Sequence, residues 1–244
     1  TAGSGKSLLT SILKPWYSGK GATAITANLD PGAFSLPYAP DVDVREYIDL
    51  QSVMESYQLG PNGALIFASD MIASRLPDIQ DQIDTLNPDY VIFDTPGQVE
   101  LFAYRQSGPY FIENFTCDAR SVIFLFDSML VSTASNFVSI ALLAASLQLR
   151  LKSPQVPVLS KRDMGGDQWK KIMKWSTDLG VLEDALAEEK DSTNYLLSSS
   201  IFRDLVKVGF AYEQIPVSSV TQEGMIELSA TLSRILRGGE EVED

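Results

Sequence analysis

Seven residues at the start of the chain, Thr-Ala-Gly-Ser-Gly-Lys-Ser (1–7), gather two glycines, a lysine and a hydroxyl in one loop. A phosphate chain needs that combination. Gly3 and Gly5 let backbone N–H groups turn toward anionic oxygens, and the helix that follows adds the positive end of its dipole. Lys6 can reach the β- and γ-phosphates, and the Ser7 hydroxyl can ligate Mg2+. Ala2, Gly3, Ser4, Gly5, Lys6, Ser7 and Leu8 are therefore the expected phosphate cradle. The pattern G-x-x-x-x-G-K-[ST] lacks only its first glycine, which would stand one residue before Thr1. A short strand and that glycine are expected upstream.

The other half of such a site is an acid at the end of an apolar strand, and VIFDTPGQ supplies Asp94. Asp94 is expected to hold Mg2+ through water. The Gly97 N–H can bond the γ-phosphate and release it on hydrolysis, which would make the loop a switch, and Gln98 is placed to orient water. A third loop, NLDPG (28–32), offers Asp30. That carboxylate orients the attacking water or holds a metal-bound one, or is merely the Asp of a Pro-Gly turn.

Two later loops bear on the base. VLSKRD ends a strand with Ser160, Lys161 and Asp163, the spacing of N/T-K-x-D with serine in first place. A carboxylate at Asp163 accepts from both N1–H and the N2 amino group of guanine, a donor pair adenine lacks, while the Lys161 stem packs on the base plane. In PVSSVTQEG, Ser218, Ser219 and Val220 stand where a backbone N–H toward guanine O6 is needed. Together the two loops favour GTP over ATP.

These loops need strands to carry them. Apolar runs at 22–30, 89–95, 120–127, 156–160 and 213–219 alternate with helix-length segments. That alternation predicts an α/β fold, a P-loop NTPase with a mostly parallel, doubly wound sheet and helices on both faces. Residues 1–244 suit a single domain, with a helical insertion at 164–212 as a candidate partner surface. Every candidate residue above lies at or just after the carboxyl end of a strand, where open α/β sheets bind ligands.

Composition removes other classes. With 32 acidic against 19 basic residues the chain carries −13, and no dense basic cluster offers a footprint for nucleic acid. Some of that acid sits in the terminal GGEEVED, expected to be solvated. The absence of histidine excludes a His-based triad and His-ligated zinc, and the single Cys117 excludes an internal disulfide. Ser128 to Leu149 is uncharged over 22 residues, but eight of them are Ser, Thr, Asn or Gln, so a buried helix is expected rather than a membrane span. A cytoplasmic protein without a membrane segment follows as the expectation.

One stretch, LGPNGAL (59–65), lies between two segments that both read as helix, DVREYIDLQSVMESYQ and ALIFASDMIASRLPDIQDQI. By itself it reads as a Pro-preset turn. Placed between NLDPG and DTPGQVE, with LSKRD and VSSVTQEG following in order, it makes the chain resemble the GPN-loop GTPases over nearly its whole length. The resemblance implies a homodimer, or a heterodimer with a paralogue, in which Gly60, Pro61 and Asn62 enter the partner subunit's active site near the γ-phosphate. It likewise implies that Asp30, Gln98 and Glu100 form the polar set around the attacking water and magnesium. In the family's eukaryotic members it implies RNA polymerase as a protein client. No arginine lies in the expected phosphate loops, so slow GTP hydrolysis by a molecular switch or assembly factor is expected. A dimeric ParA/MinD-like ATPase, a P-loop kinase and a nucleotide-binding scaffold with negligible turnover remain the alternatives.

Overall fold

The computed structural model describes residues 2–189, 192–207 and 213–237. Thr1, residues 190–191 and 208–212 of the expected insertion, and the acidic tail at 238–244 lie outside them. The chain forms two compact units, Thr1–Asp118 and Ala119–Asp244.

In the first unit α1 (Lys6–Ser18) precedes β1 (Ala24–Asn28), β2 (Val42–Asp43), α2 (Leu50–Tyr57), α3 (Pro61–Met71), α4 (Leu76–Leu86) and β3 (Tyr90–Asp94). Two short helices follow, α5 (Val99–Phe102) and α6 (Ser107–Asn114). The strands pair in parallel in the order β2-β1-β3. β1, sequence AITAN, is buried at all five positions, as a central parallel strand covered by helices must be. Its core neighbours include Val44, Ile72 and Ile79, each fully buried. The register sets Asn28 opposite both Asp43 and Asp94, so three polar side chains form one row at the carboxyl edge of this sheet.

Two expectations need correction here. The segment 43–58 is not one helix. Asp43 ends β2 and its side chain takes the Arg45 N–H of a 3-10 turn, Val44–Glu46; Asp49 then caps a separate α2 through the Ser52 N–H. Asp49 accepts the Ser52 N–H, which in a continuous helix would go to the carbonyl of Ile48. LGPNGAL, for its part, is no free turn. Gly60 is the N-cap of α3 and Pro61 its first helical residue, a position where the missing N–H costs nothing.

The second unit holds β4 (Val122–Asp127), α7 (Ala134–Leu151), β5 (Gln155–Ser160), α8 (Gln168–Thr177), α9 (Leu179–Glu188), α10 (Ser192–Lys207), β6 (Ile215–Pro216) and α11 (Met225–Leu236). Its strands are again parallel, in the order β4-β5-β6, and β6 is far shorter than the 213–219 run. By length and composition α7 could cross a membrane. Here its Phe137 is buried against Trp175 of α8 and Phe202 of α10, with ring centroids 6.0 and 5.7 Å away.

Candidate functional site

The first loop has the backbone its glycines allow. Gly3 and Gly5 adopt φ of 73° and 92°, left-handed conformations that L side chains rarely tolerate. Gly5 caps α1, and Lys6 opens the helix, its Nζ donating to the Gly97 carbonyl at 3.4 Å. Gly3, Gly5, Lys6, Ser7 and Leu8 line a cavity of about 260 Å3 with Asp30 from the loop after β1, and with Thr95 and Gly97 after β3. Left-handed glycines, a helix start and a half-buried lysine are together the features an anion cradle requires. A larger cavity of about 560 Å3, bordered by Asp70, Arg105 and Tyr110, contains none of the expected residues.

The charges in this cradle work against their surroundings. Burial pulls the Lys6 ammonium below its ordinary value, while Asp94 and Asp30 pull it back up. Burial pushes the Asp94 carboxyl up, opposed by the hydroxyls of Ser7 and Tyr38 and by Lys6. Asp94 is 3% exposed; Oδ2 accepts a hydrogen bond from the Tyr38 hydroxyl at 3.1 Å, and Oδ1 is buried without a hydrogen-bond partner. Burial and the neighbouring Asp94 carboxylate hold the Tyr38 phenol well above its usual range, so it stays a donor.

Asp30 is held by its own loop and by a network behind it. Its backbone N–H donates to Asn28 Oδ1 at 3.0 Å, and its Oδ1 accepts from the Gly32 N–H at 2.9 Å. The Asn28 amide donates to the Asp30 carbonyl at 3.2 Å and to Asp43 Oδ1 at 2.9 Å. Arg45 then forks onto Asp43, with Nε 3.0 Å from each carboxylate oxygen, and reaches the Ala33 carbonyl through Nη1 at 2.7 Å. Burial pushes the Asp43 carboxyl up, but Arg45 and Asn28 outweigh it and leave it below the usual range. Asn28, Tyr38, Asp43 and Arg45 were not among the residues expected from sequence, and neither was Thr95, although DTPG contains it.

Other expected residues of this unit stand apart from the cavity. Gln98 and Glu100 are exposed at the start of α5, and Gly60, Pro61 and Asn62 are exposed at the start of α3; none of them lines it, and neither do Ala2, the buried Ser4 or the buried Asp94. One contact ties α3 to the Asp30 loop: a Cβ on Gly32 would meet Leu65 Cδ1 at 2.6 Å. Among the described residues no group of three or more His, Cys, Asp or Glu side chains is arranged to hold a metal.

The second unit carries the two remaining loops. Ser160 ends β5 opposite Asp127, and its hydroxyl donates to the Phe126 carbonyl at 3.2 Å. Lys161 adopts φ 59°, and its Nζ donates to Asp127 Oδ2 at 2.7 Å rather than extending freely. Asp163 is exposed beyond it. The Ser218 hydroxyl is buried and accepts the N–H groups of Val220 and Thr221 at 3.2 and 3.0 Å, folding Ser218, Ser219 and Val220 into a tight turn. The loops are joined by the Arg162 N–H to the Val217 carbonyl at 3.2 Å and by an Arg162–Glu223 ion pair at 3.4 Å. Asp127, the anchor of Lys161, was missed because only strand pairing brings it to Ser160.

Comparison with known proteins adds independent findings. A family model described as "Conserved hypothetical ATP binding protein" matches residues 1–238. "GPN-loop GTPase 3" of Aspergillus fumigatus is 34% identical over 84% of this chain and 75% of its own length. "GPN-loop GTPase 2 homolog" of Dictyostelium discoideum is 35% identical over 66% of this chain and 52% of its own. The chain thus spans about half the length of some of the curated relatives it matches. The crystal structure of a GTPase from Pyrococcus abyssi, in its apo form, superposes with a TM-score of 0.84 at 27% identity, covering 96% of this chain and 94% of that one.

Proposed function

This chain belongs to the GPN-loop GTPase family, and we propose that it is a Mg2+-dependent, cytoplasmic GTP hydrolase working as a dimer, either with itself or with a paralogue. The observation that carries the reading is the cavity that joins Gly3, Gly5, Lys6, Ser7 and Leu8 to Asp30 and Gly97, with the buried Asp94 acting on Lys6. The family description speaks of ATP, whereas the named relatives are GTPases. Asp163 favours the latter, since its exposed carboxylate can accept the two guanine donors that adenine does not have.

Magnesium fits the residues present. Mg2+ is usually held by one or two carboxylates together with substrate phosphates and waters, not by a full protein cage. Asp94, Asp30 and the Ser7 hydroxyl make such an incomplete set and would hold the ion, Asp94 through a bound water. When bound, the ion would neutralise charge building on the β- and γ-phosphates.

The chain's own groups do the rest. Backbone N–H groups at Gly3 and Gly5 and the start of α1 donate to phosphate oxygens, and Lys6 adds a positive charge that burial disfavours and a phosphate would favour. Asp30, fixed by Asn28 and by its own turn, orients the attacking water. The Gly97 N–H reports the γ-phosphate, with Gln98 and Glu100 following it on α5.

The GPN segment acts in trans in this reading. Gly60 and Gly63 have room for a Cβ, with nothing closer than 3.5 Å, so the fold of the unit does not demand glycine at either place. Backbone exposed at a helix start is what a partner's phosphate region can approach closely. The test is GTP hydrolysis by wild type and Asn62→Ala, with ATP as competitor and dimerisation followed in parallel. Loss of GTP turnover with Mg-GTP binding retained supports the trans role, and an unchanged rate refutes it. Turnover of ATP as fast as GTP would defeat the base assignment.

A further inference from the structure

We propose that Tyr38 is a positioning residue for magnesium, acting by fixing the carboxylate of Asp94. The proposal rests on the GTPase reading above and concerns a side chain outside every recognised motif.

The segment between β1 and β2 is a strap fastened at both ends. At its start the Asp30 and Ala33 carbonyls are held by Asn28 and Arg45. At its end Asp41 takes Lys14 Nζ at 2.7 Å on each oxygen, and the Thr26 N–H and hydroxyl at 2.7 and 3.1 Å. Tyr38 lies between these fastenings, partly buried, and its hydroxyl meets Asp94 Oδ2 at 3.1 Å. The strap gives the phenol little freedom to leave.

The consequence for Asp94 is specific. The Tyr38 hydroxyl occupies Oδ2 and sets the rotation of the group, with the Ser7 hydroxyl bearing on the same carboxylate and Oδ1 buried, so the phenol fixes which way the carboxylate faces Ser7 and Lys6. A lysine or arginine in place of the phenol would satisfy Oδ2 as well, but would add a positive charge beside the cation. A phenol orients without repelling. The same strap carries Asp30, so one segment holds both the metal's carboxylate partner and the acid that addresses the water. Outer partners of this kind typically contribute 10–100-fold in metal affinity.

The test uses the full chain loaded with a fluorescent, non-hydrolysable GTP analogue and titrated with MgCl2. Wild type, Tyr38→Phe and the exposed control Tyr110→Phe are compared. The expected result is Mg2+ affinity about tenfold or more weaker in Tyr38→Phe, with analogue binding in EDTA unchanged and the control equal to wild type. In turnover, the Mg2+ concentration for half-maximal rate rises while the rate at saturating Mg2+ changes far less. Adding Tyr38→Phe to Asp94→Asn gives no further loss of Mg2+ affinity, because the two act through one group. Mg2+ affinity equal to wild type overturns the proposal, even if Tyr38→Phe melts lower. If Tyr38→Phe does not fold, ring-fluorinated tyrosine at position 38 reports instead: its 19F resonance moves when Mg2+ is added, and a static resonance overturns the proposal. A wild type with no Mg2+ response at all defeats the GTPase reading and this proposal with it. A normal wild type with an indistinguishable Tyr38→Phe defeats the Tyr38 role only.

Discussion

The two units treat their key carboxylates in opposite ways. In the first, Asp94 is almost wholly buried, holds one oxygen without a partner and is pushed up by burial, while the nearby Lys6 is pulled down. In the second, Asp163 is exposed, and the neighbouring Lys161 already has its own partner in Asp127. A buried polar atom left unpaired costs about 1–3 kcal/mol. The first unit places such an atom next to a buried lysine, whereas the second pairs its lysine with Asp127. Ligand binding is therefore expected to stabilise the first unit more than the second.

The largest expected effect sharpens the first side of the contrast. Lys6→Met removes the charge that the cradle strains to hold, and GTP turnover, read as phosphate release, should fall by at least about 100-fold. On the other side, Asp163→Asn should weaken guanine binding by about 10–100-fold, the worth of hydrogen bonds to a charged acceptor. The same change should improve binding of xanthosine triphosphate, whose 2-carbonyl can accept from the new amide. Competition binding measures both, and an unchanged preference would remove Asp163 from the base site.

A third prediction is one of sign. Asp94 titrates higher in the folded protein than its ordinary 3.8, so its penalty is in full force above the folded value and fades as pH falls toward 3.8. Asp43 titrates lower, so it contributes stability above 3.8 that is lost as pH falls through its folded value. Near neutral pH and without nucleotide, Asp94→Asn should melt higher than wild type and Asp43→Asn lower. The shift is about 2–4 °C per kcal/mol for a chain of this size. Both differences should shrink in acid, and scanning calorimetry across pH is the check. Equal signs for the two variants would break the contrast.

The smallest effect concerns the start of α3. Gly63→Ala has room for its methyl and should raise thermal stability by about 0.5–1 kcal/mol, as alanine does inside a helix. GTP turnover should nevertheless fall, if that backbone is kept bare for a partner. A protein both more stable and equally active would count against the trans role.

What could be read from sequence follows from how each residue is placed. Lys6, Ser7, Asp30 and Asp94 sit in contiguous motifs whose spacing already implies the chemistry, and the structure gathers them. Asn28, Asp43 and Asp127 become neighbours of the site only through strand register: Asn28 faces Asp43 and Asp94, and Asp127 faces Ser160. No local pattern announces that. β2 is two residues long and offers no alternation to recognise. Pro61 misled because proline suits both the second residue of a turn and the first of a helix, and only the downstream hydrogen bonds distinguish them.

Gly32 pressed against Leu65 has a consequence for turnover. In the proposed dimer the helix that reaches into the neighbour rests directly on the loop that carries Asp30. A shift of that helix on entering a partner would have to carry the Asp30 loop with it or open a gap at Gly32. A Leu65→Ala protein, which lacks that contact, is expected to bind GTP as wild type does while turnover in the dimer changes.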